Sequence, residues 1–470
     1  MSQITFYGGA GTVTGSKYLI EHNGRRVLVD SGLFQGLAEL RELNWQPPPF
    51  DPTSIDAVVL THAHIDHTGY LPKLVKSGFA GPVITSKPTA DLLRILLPDS
   101  ARLQEEEADY RNRHNLTSHT PALPLYDEAD AREALERIQT IANDGQPHHV
   151  TDGVTASFLV AGHIMGASLV LLELTNTKEV TDGYKTTRLL FSGDLGHYDQ
   201  PIVKDPAKPP ACDYLMVEST YGDRLHGDVS SEDQMAGIIN QAIRRNGPIL
   251  IPAFAVGRTQ EVLYLLRDLE EKGRIPVLPV VVDSPMAAQT TQVYNRWHEE
   301  QDEEYTSILA QKKHPLRTGS MITASSREES KRVNEMHGTR IIISASGMMT
   351  GGRVLHHAMR ILPDPNATVI FVGYQAAGTT GRRVQDGERE VKIMKNWIPV
   401  RCHVEKVEGF SAHADWKDVL RWLEGLPAAP KMIFTTHGEP ESAAAMAGHI
   451  HEHFGWNVVV PRYEETIDLS

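Results

Sequence analysis

The first half of the chain alternates short apolar runs with polar turns. Residues 18–21 and 27–30 flank an Asn-Gly pair, which is typical of a hairpin between two strands. Residues 57–60 (Ala-Val-Val-Leu) predict a fully buried strand, and the polar segment 61–67 follows it directly. The remaining apolar runs predict strands at 157–160, 169–174 and 189–192, and helices at 92–97 and 129–141. Polar residues follow several of these strands, where loops tend to carry functional side chains.

The second half follows a different pattern, because strands and helices alternate regularly after the proline-rich segment 203–210. This alternation is typical of a parallel sheet covered by helices. The predicted strands are 249–251, 277–282, 340–344 and 368–372, and the predicted helices are 259–272 and 285–296. Towards the end of the chain, strands predicted at 402–407 and 432–435 again end in polar loops.

Composition narrows the class of protein. Forty per cent of the 470 residues are apolar and 23% are charged, which indicates a folded chain of two or three domains. No apolar run approaches the ~20 residues of a membrane span, and the start lacks the basic and apolar regions of a secretory signal. With only two cysteines, the chain is not expected to have a disulfide framework, and it is expected to be located in a reducing cytoplasm. The net charge of −14 restricts any nucleic-acid contact to a local basic patch.

The strongest chemical signal is the run His62-x-His64-x-Asp66-His67 directly after the predicted strand 57–60. Imidazole nitrogen and carboxylate oxygen are the ligand types of hydrolytic zinc sites. In an extended loop, positions i and i+2 face the same way, so His62 and His64 can bind one ion. Asp66 and His67 are then free to turn towards a second ion.

Other ligand-type residues end separate strands, each beside glycine or serine. They are Asp30, His163, Asp194 and His437. Taken alone, an aspartate after a strand is more often a turn former, and a single histidine is more often a core or surface residue. Taken with the run at 62–67, the four residues could complete two coordination shells.

In this order, the motifs resemble those of the metallo-β-lactamase superfamily. The segments 217–222, 409–415 and 436–438 further resemble the β-CASP branch, the RNA- and DNA-processing nucleases of the cleavage-and-polyadenylation-factor type. The resemblance implies an α/β fold in which residues 1–208 and 400–470 form a metallo-β-lactamase αββα sandwich. A β-CASP α/β domain, residues 209–399, would be inserted between them, and KH domains are not expected.

The resemblance also implies two Zn²⁺ ions per chain that share Asp194. One ion would be bound by His62, His64 and His163, and the other by Asp66, His67 and His437. Asp30 would orient a ligand or the water. Glu218, His413 and Asp66 are implied to be catalytic: His413 would protonate the leaving sugar oxygen, and Glu218 would hold and polarise its imidazole. A purely structural Glu–His hydrogen bond is the alternative for that pair.

Two glycine-rich segments, 344–353 and 373–383, resemble phosphate-contacting loops of the family, although such turns are mostly structural when seen alone. The implied substrate-binding residues are Ser346, Gly347, Arg353, Arg382, Ser411 and Ala412.

The implied function is a zinc-dependent ribonuclease that hydrolyses phosphodiester bonds with a two-metal-activated hydroxide. Cleavage would be endonucleolytic, with 5′-exonucleolytic cleavage as a second mode, in RNA processing or decay. The expected partner is single-stranded RNA. Membrane association is not expected, and formation of a homodimer is left open. The alternatives are a DNA-directed β-CASP nuclease, a small-molecule metallo-hydrolase on the same scaffold, and a non-catalytic subunit, against which the filled motif positions argue.

Overall fold

The computed structural model describes residues 2–116, 120–176, 186–227, 229–376 and 378–469. Ala377, in the second glycine-rich segment, lies outside them. The chain forms two compact units. The first comprises Met1–Asp199, Lys204–Leu225 and His413–Ser470, and the second comprises Gln200–Val203 and His226–Ala412.

The strands fall into three groups along the chain. The first group is β1 Ser2–Gly8, β2 Lys17–His22, β3 Arg25–Val29, β4 Ala57–Val59, β5 Val83–Ser86, β6 Ile138–Ile141, β7 His148–Thr151, β8 Val154–Val160, β9 Ser168–Thr175, β10 Thr186–Phe191 and β11 Tyr214–Glu218. The second is β12 Ile249–Pro252, β13 Pro279–Val282, β14 Ser320–Thr323, β15 Ile341–Ser344, β16 Thr368–Phe371, β17 Glu390–Ile393, β18 Asn396–Pro399 and β19 His403–Lys406. The third is β20 Met432–Thr436, β21 Val458–Val459 and β22 Thr466–Leu469.

The helices follow the same division. Those before the second unit are α1 Ala38–Leu43, α2 Ile65–Thr68, α3 Leu71–Lys76, α4 Lys87–His114 and α5 Glu128–Glu136. Those of the second unit are α6 Ser231–Arg245, α7 Arg258–Glu271, α8 Pro285–Tyr294, α9 Glu303–Ala310, α10 Arg327–Val333, α11 Arg353–Ile361 and α12 Thr380–Gln385. The last two are α13 Trp416–Leu423 and α14 Pro440–Phe454, and short 3-10 turns occupy Pro52–Ser54 and His298–Glu300. Within the described ranges, no helix is both long and apolar enough to cross a membrane.

Two seven-stranded sheets form the first unit. Their orders are β22-β1-β2-β3-β4-β5-β6 and β21-β20-β11-β10-β9-β8-β7. The inner faces share one apolar core, in which the Phe6 and Phe434 rings lie 5.3 Å apart and the Tyr18 and Phe191 rings 5.8 Å apart. Helix α4 packs on β5 and β6, and helix α14 packs on β20 and β21. The unit is therefore an αββα sandwich, as the motif resemblance implied.

A six-stranded parallel sheet, ordered β14-β13-β15-β12-β16-β19, forms the centre of the second unit. Its four inner strands, β12, β13, β15 and β16, are buried on both faces, which explains why they read as continuous apolar runs. In β12, Ile249 and Ile251 pack into the core formed with α6 and α7, whereas Leu250 packs into the opposite core with α11. Strands β17 and β18 form a separate antiparallel hairpin. The predicted α/β alternation is confirmed here.

The helix predicted over 129–141 is wrong in its second half. Helix α5 starts at a capping box between Asp127 and Asp130 and ends at Glu136. The following residues, Ile138–Ile141, form β6 and pair in parallel with β5. Two isoleucines and a threonine in this segment favour a strand, and β5 offers an edge to which they can hydrogen-bond.

Candidate metal centre

Strand ends from both sheets of the first unit supply the candidate ligands. Strands β3 and β4 run in parallel, and Asp30 and His62 lie just beyond them. Strands β10, β11 and β20 also run in parallel, with Asp194 and His437 just beyond two of them. Because parallel strands end at the same edge of a sheet, residues far apart in sequence meet at one place.

The first group of ligand atoms comes from His62, His64, His163 and Asp194. The Nε2 atom of His62 lies 3.2 Å from Nδ1 of His64 and 3.3 Å from Oδ2 of Asp194. The Nε2 atom of His163 lies 3.5 Å from the same Asp194 oxygen. These donor atoms therefore face a common point.

The second group comes from Asp66, His67 and His437. The Nε2 atoms of His67 and His437 lie 3.1 Å and 3.4 Å from Oδ1 of Asp194. Asp194 thus presents one carboxylate oxygen to each group. The structure brings together all seven residues that the sequence singled out as metal ligands, and Asp194 stands between the two sets.

Two buried atoms that face the cluster, His67 Nε2 and Asp194 Oδ1, have no hydrogen-bond partner. Buried polar atoms are nearly always hydrogen-bonded, so this pair points to a partner other than protein. Imidazole and carboxylate donors are the set that zinc prefers. The residues present therefore fit a zinc site.

Neighbouring side chains fix the orientation of three imidazole rings. The Nδ1 atom of His67 donates to Asp30 Oδ2 over 2.7 Å, and the Thr61 amide donates to Asp30 Oδ1 over 2.8 Å. The hydroxyls of Thr61 and Ser16 hydrogen-bond with Nδ1 of His62 and His437, at 3.1 Å and 3.0 Å. Each contact turns the other ring nitrogen towards the cluster. Sequence reasoning missed Ser16 and Thr61; the glycine-rich run 8–16 was the available signal for Ser16.

Two residues at the cluster adopt a left-handed backbone conformation, which is unfavourable for side chains other than glycine. Asp30 has φ of 59° and His437 has φ of 48°. Hydrogen bonds from Asp30 N to Val59 O (2.9 Å) and from His437 N to Gly9 O (2.6 Å) hold them there. The surrounding fold thus maintains a backbone that aims both side chains.

Burial controls the protonation of most of these histidines. Burial lowers the pKa of His64 and of His163 well below 6.5, and lowers that of His437 to about 3. The neutral imidazole that results is the form that binds a metal ion. His67 differs: burial acts to lower its pKa, but the carboxylates of Asp194 and Asp30 outweigh burial and raise it well above 6.5.

His413 lies beside the ligand cluster and is held by Glu218. Its Nδ1 atom is 3.0 Å and 3.1 Å from the two Glu218 oxygens and 3.9 Å from Asp194 Oδ2. Glu218 is 1% exposed, and one of its oxygens accepts from the Leu195 amide over 2.7 Å. Burial acts to lower the pKa of His413, but Glu218, followed by Asp194 and Asp66, raises it to about 9. This imidazole therefore favours its protonated form.

The implied substrate residues lie in the second unit. Ser346 and Gly347 follow β15, Arg353 begins α11, and Arg382 lies in α12, beyond β16. All four come after strands of one parallel sheet, at its carboxyl edge. Ser411 and Ala412 lie at the end of the unit, where the Ala412 carbonyl accepts from the side chain of Gln200 over 3.2 Å.

Arg353 makes three hydrogen bonds inside the second unit. Its guanidinium donates to Asp283 Oδ1 over 2.7 Å, Ala324 O over 2.9 Å and Ser325 O over 3.1 Å. Asp283 also bonds to His357 over 2.6 Å, and both of these partners are 1% exposed or less. The network ties the loop after β15 to the loops after β13 and β14. Sequence reasoning missed this network, for which an aspartate directly after a strand was the available signal.

Comparisons with known proteins agree with these features. Residues 10–161 match the family model of the metallo-beta-lactamase superfamily, residues 259–384 match the Beta-Casp domain, and residues 397–461 match the "Zn-dependent metallo-hydrolase RNA specificity domain". The chain is 35% identical to ribonuclease TTHA0252 of Thermus thermophilus over 99% of its own length and 100% of that protein's. This chain belongs to the β-CASP branch of the metallo-β-lactamase superfamily. The family and the enzyme class predicted from the motifs, a metal-dependent hydrolase, are confirmed.

Other relatives of this β-CASP protein carry related names. It is 31% identical to the transcription termination factor FttA of Pyrococcus abyssi, covering 99% of this chain and 71% of that protein. It is 30% identical to an RNase J-like protein of Methanocaldococcus jannaschii, covering 95% of each. Among solved structures, a protein of unknown function from Enterococcus faecalis matches over 100% of both chains with a TM-score of 0.55 and 17% identity, which shows the fold alone.

Proposed function

We propose that this β-CASP enzyme is a zinc-dependent ribonuclease that cleaves single-stranded RNA in RNA processing or decay. Cleavage is endonucleolytic, with 5′-exonucleolytic cleavage as a second mode. Relatives named as ribonucleases and the match to an RNA specificity domain support RNA as the substrate. The observation that carries the proposal is the Glu218–His413 pair beside Asp194, because cleavage at a sugar oxygen needs a proton donor in addition to metal ligands.

In this proposal the two ligand groups would hold two zinc ions per chain, and Asp194 would contribute one carboxylate oxygen to each group. The convergence of both groups on the two oxygens of Asp194 supports this stoichiometry. Asp30 orients His67, and Asp66 serves both as ligand and as part of the catalytic set. When bound, zinc would lower the pKa of water, so that hydroxide is available at neutral pH, and would neutralise charge on the attacked phosphate.

His413 acts as the general acid. Water loses a proton to the solvent and attacks phosphorus in line, the bond from phosphorus to the leaving sugar oxygen breaks, and that oxygen takes a proton from His413. Because Glu218 engages Nδ1 of His413, the donated proton is the one on Nε2. The Glu218 carboxylate fixes the ring and stabilises its protonated form before the reaction.

Substrate phosphates contact backbone amides and side chains of Ser346, Gly347, Ser411 and Ala412. They also contact the guanidinium of Arg382, which is paired with Asp386 through Nε and whose side chain is 42% exposed. Arg353 acts by supporting the Ser346 loop, since its donors are engaged by Asp283, Ala324 and Ser325. The proposal needs one complete chain per active centre, so it neither requires nor excludes a homodimer. The free thiols of Cys212 and Cys402 support a location in the reducing cytoplasm.

The proposal is tested by His413→Ala, with zinc content and cleavage measured on the same preparation. We expect the variant to keep its zinc and its RNA affinity, and to cleave RNA ~10²–10⁴-fold more slowly. A substrate whose leaving group is a better anion than a sugar alkoxide should recover most of the rate, since it does not need the proton. His451→Ala, a change at an exposed position of helix α14, is the matched control and should leave all three measurements unchanged.

Each opposite result has a specific meaning. Loss of zinc from His413→Ala would make His413 a ligand and remove the general acid from the scheme. Cleavage of RNA at the unaltered rate by the zinc-loaded variant would contradict its catalytic role. A panel of matched RNA, DNA and small esters identifies the substrate class, and exclusive cleavage of DNA or of the esters would overturn the ribonuclease assignment.

A further inference from the structure

Two aromatic side chains are exposed at the carboxyl edge of the second unit's sheet. Phe254 is 43% exposed and Tyr374 is 59% exposed. Phe254 follows β12 and Tyr374 follows β16, and these two strands are parallel neighbours in the sheet. Neighbouring strands lie about 4.8 Å apart, so the two loops are adjacent. Burial of an aromatic ring is strongly favourable, so two rings left in solvent on adjacent loops are unusual.

The backbone beneath Phe254 is held firmly. Its carbonyl accepts from the amide and the hydroxyl of Thr259, over 3.1 Å and 2.8 Å, and the preceding Ala253 amide donates to Ser344 O over 3.1 Å. Gly347 lies against the ring, since a Cβ there would be 3.1 Å from Phe254 Cδ2. The backbone that carries the ring is therefore hydrogen-bonded on both sides, and one edge of the ring is close to Gly347.

The loop that carries Tyr374 is held as well. The adjacent Gln375 side chain is 3% exposed and donates to Gly347 O over 3.0 Å and Gly373 O over 3.3 Å. The Gly381 amide donates to Met348 O over 3.0 Å, which joins the same two loops again. Gln375 thus fixes the loop after β16 to the glycine-rich loop after β15.

An arginine and a glycine lie beside the two rings. Arg382 interacts electrostatically with Tyr374, its Nε is paired with Asp386 over 2.8 Å, and its side chain is 42% exposed. Gly347, between Phe254 and Gln375, leaves the loop backbone without a side chain that could block a ligand. Exposed aromatic rings next to a cationic, backbone-rich strip are the combination that binds unpaired nucleotides: the rings stack on bases and the strip contacts phosphates.

We infer that Phe254 and Tyr374 form a stacking site for unpaired nucleobases of the substrate strand. This inference rests on the proposed ribonuclease function and adds a base-binding site to it. Stacking does not depend on base identity, so the site favours single strands over duplexes without reading sequence. The bases of a duplex are already stacked on each other and cannot reach the rings.

Binding of single-stranded RNA to Phe254→Ala and Tyr374→Ala tests this inference. Both changes are made in a His413→Ala background, so that the RNA stays intact, and are probed with a mixed-sequence RNA and with the same RNA carrying abasic riboses. We expect each variant to bind the normal RNA about tenfold more weakly. We expect unchanged affinity for the abasic RNA, which has no base to stack, and an unchanged salt dependence, because no phosphate contact is lost.

Three further variants separate stacking from other effects. Tyr374→Phe keeps the ring and should bind like the parent, whereas Phe254→Leu keeps the apolar bulk without the ring face and should be as weak as Phe254→Ala. Trp397→Ala removes another exposed ring of the second unit, 57% exposed on the β17–β18 hairpin, and should have no effect. Thermal midpoints confirm that the variants are folded.

The outcomes distinguish this inference from the proposed function. If the unaltered enzyme cleaves RNA but both alanine variants bind normal RNA as the parent does, the stacking site is overturned and the ribonuclease stands. An equal loss of affinity for normal and abasic RNA would also overturn stacking, since the effect would not depend on bases. If the unaltered enzyme does not cleave RNA, the proposed function fails first and the inference falls with it.

Discussion

Gly32 lies directly against the backbone carbonyl of Asp66. A Cβ atom at position 32 would be 1.6 Å from Asp66 O and 2.8 Å from Ser16 N. The Ser16 amide donates to that Asp66 carbonyl over 2.9 Å, and the Gly32 amide donates to Ser16 O over 3.0 Å. Three segments that approach the candidate metal centre are thus packed backbone to backbone, with no room for a methyl group.

Gly32→Ala should therefore displace the Asp66 segment. We expect zinc to occupy the Asp66, His67 and His437 group only partly in this variant. We also expect its unfolding free energy to fall by about 2 kcal/mol or more. Metal analysis and denaturant unfolding measure the two effects. Gly237→Ala is the matched control: Gly237 is exposed in helix α6, an added Cβ meets nothing within 4 Å, and the change should be neutral or stabilising. Normal zinc content in Gly32→Ala would contradict the packing argument.

Asp194→Asn should weaken zinc binding at both ligand groups at once, because each group faces a different oxygen of this one carboxylate. The measurement is zinc per chain after dialysis, with both ions expected to be lost or bound far more weakly. Glu218→Gln, which changes a neighbouring buried carboxylate, should retain its zinc. A full complement of two ions in Asp194→Asn would refute the bridging role.

Glu218→Gln should slow RNA cleavage in the same direction as His413→Ala but by less. The amide oxygen of Gln can still accept from the Leu195 amide, so the local fold should persist. The imidazole stays, and only the charge that stabilises its protonated form is lost. Single-turnover rates with matched zinc content provide the comparison. A larger loss for Glu218→Gln than for His413→Ala would assign the proton donor elsewhere.

RNA binding should depend only weakly on salt. With a net charge of −14, the protein can neutralise few phosphates, and each contact with a single strand contributes about 0.7 to the slope of log affinity against log salt concentration. Arg382→Ala should lower affinity to a similar extent for all RNA sequences. It should also reduce that slope by the amount that one phosphate contact contributes, about 0.7. Arg94→Ala, on helix α4 and paired with Asp91, should change neither quantity. A steep slope would indicate contacts over much of the protein surface.

Lys17 gives the first unit a pH-dependent stability. Its side chain is 5% exposed, its ammonium lies 4.4 Å from the centre of the Phe34 ring, and burial lowers its pKa to about 7. The lysine pKa is about 10.4 in an unfolded chain, so between pH 7 and 10.4 the unfolded state binds more protons than the folded state. Stability contributed by this residue therefore rises with pH across that range, by up to about 1.4 kcal/mol per unit.

Lys17→Met removes that dependence. The variant should gain most relative to the parent at pH 7 and below, and the difference should shrink as the pH approaches 10. Urea unfolding of both proteins at several pH values measures it, with Lys73→Met on helix α3 as a control that leaves the pH dependence unchanged. A difference that is constant with pH would show that Lys17 does not titrate in this way.

Local pattern is sufficient to predict much of the fold and to single out the candidate ligands, whereas the division of those ligands between two zinc ions comes from the motif resemblance. Apolar runs placed strands such as β12, because a strand buried on both faces has few polar positions, and ligand-type residues at strand ends meet at the edge of a parallel sheet. The local pattern predicts a helix over residues 138–141, but these residues form a strand because they pair with the neighbouring edge of β5. That edge comes from residues more than fifty positions earlier.

Supporting contacts were harder to predict than ligands. Ser16 binds His437 across 421 positions of sequence, and Asp283 binds Arg353 across 70. The sequence around a serine or an arginine in a glycine-rich segment does not indicate which distant residue it will bind. The position of Arg353 in the loop predicts a phosphate contact. Its guanidinium instead donates hydrogen bonds to Asp283, Ala324 and Ser325, which lie in other segments.

The strand pairing of the first unit has a consequence during synthesis. Strand β1 pairs with β22, and β11 pairs with β20, so each sheet of the first unit joins strands made before the second unit to strands made after it. The general acid His413 and the ligand His437 also emerge late from the ribosome. A growing chain therefore lacks a complete active centre until residues beyond His437 have been made. A ribonuclease built in this way becomes competent to cut RNA only in the last stage of its own synthesis.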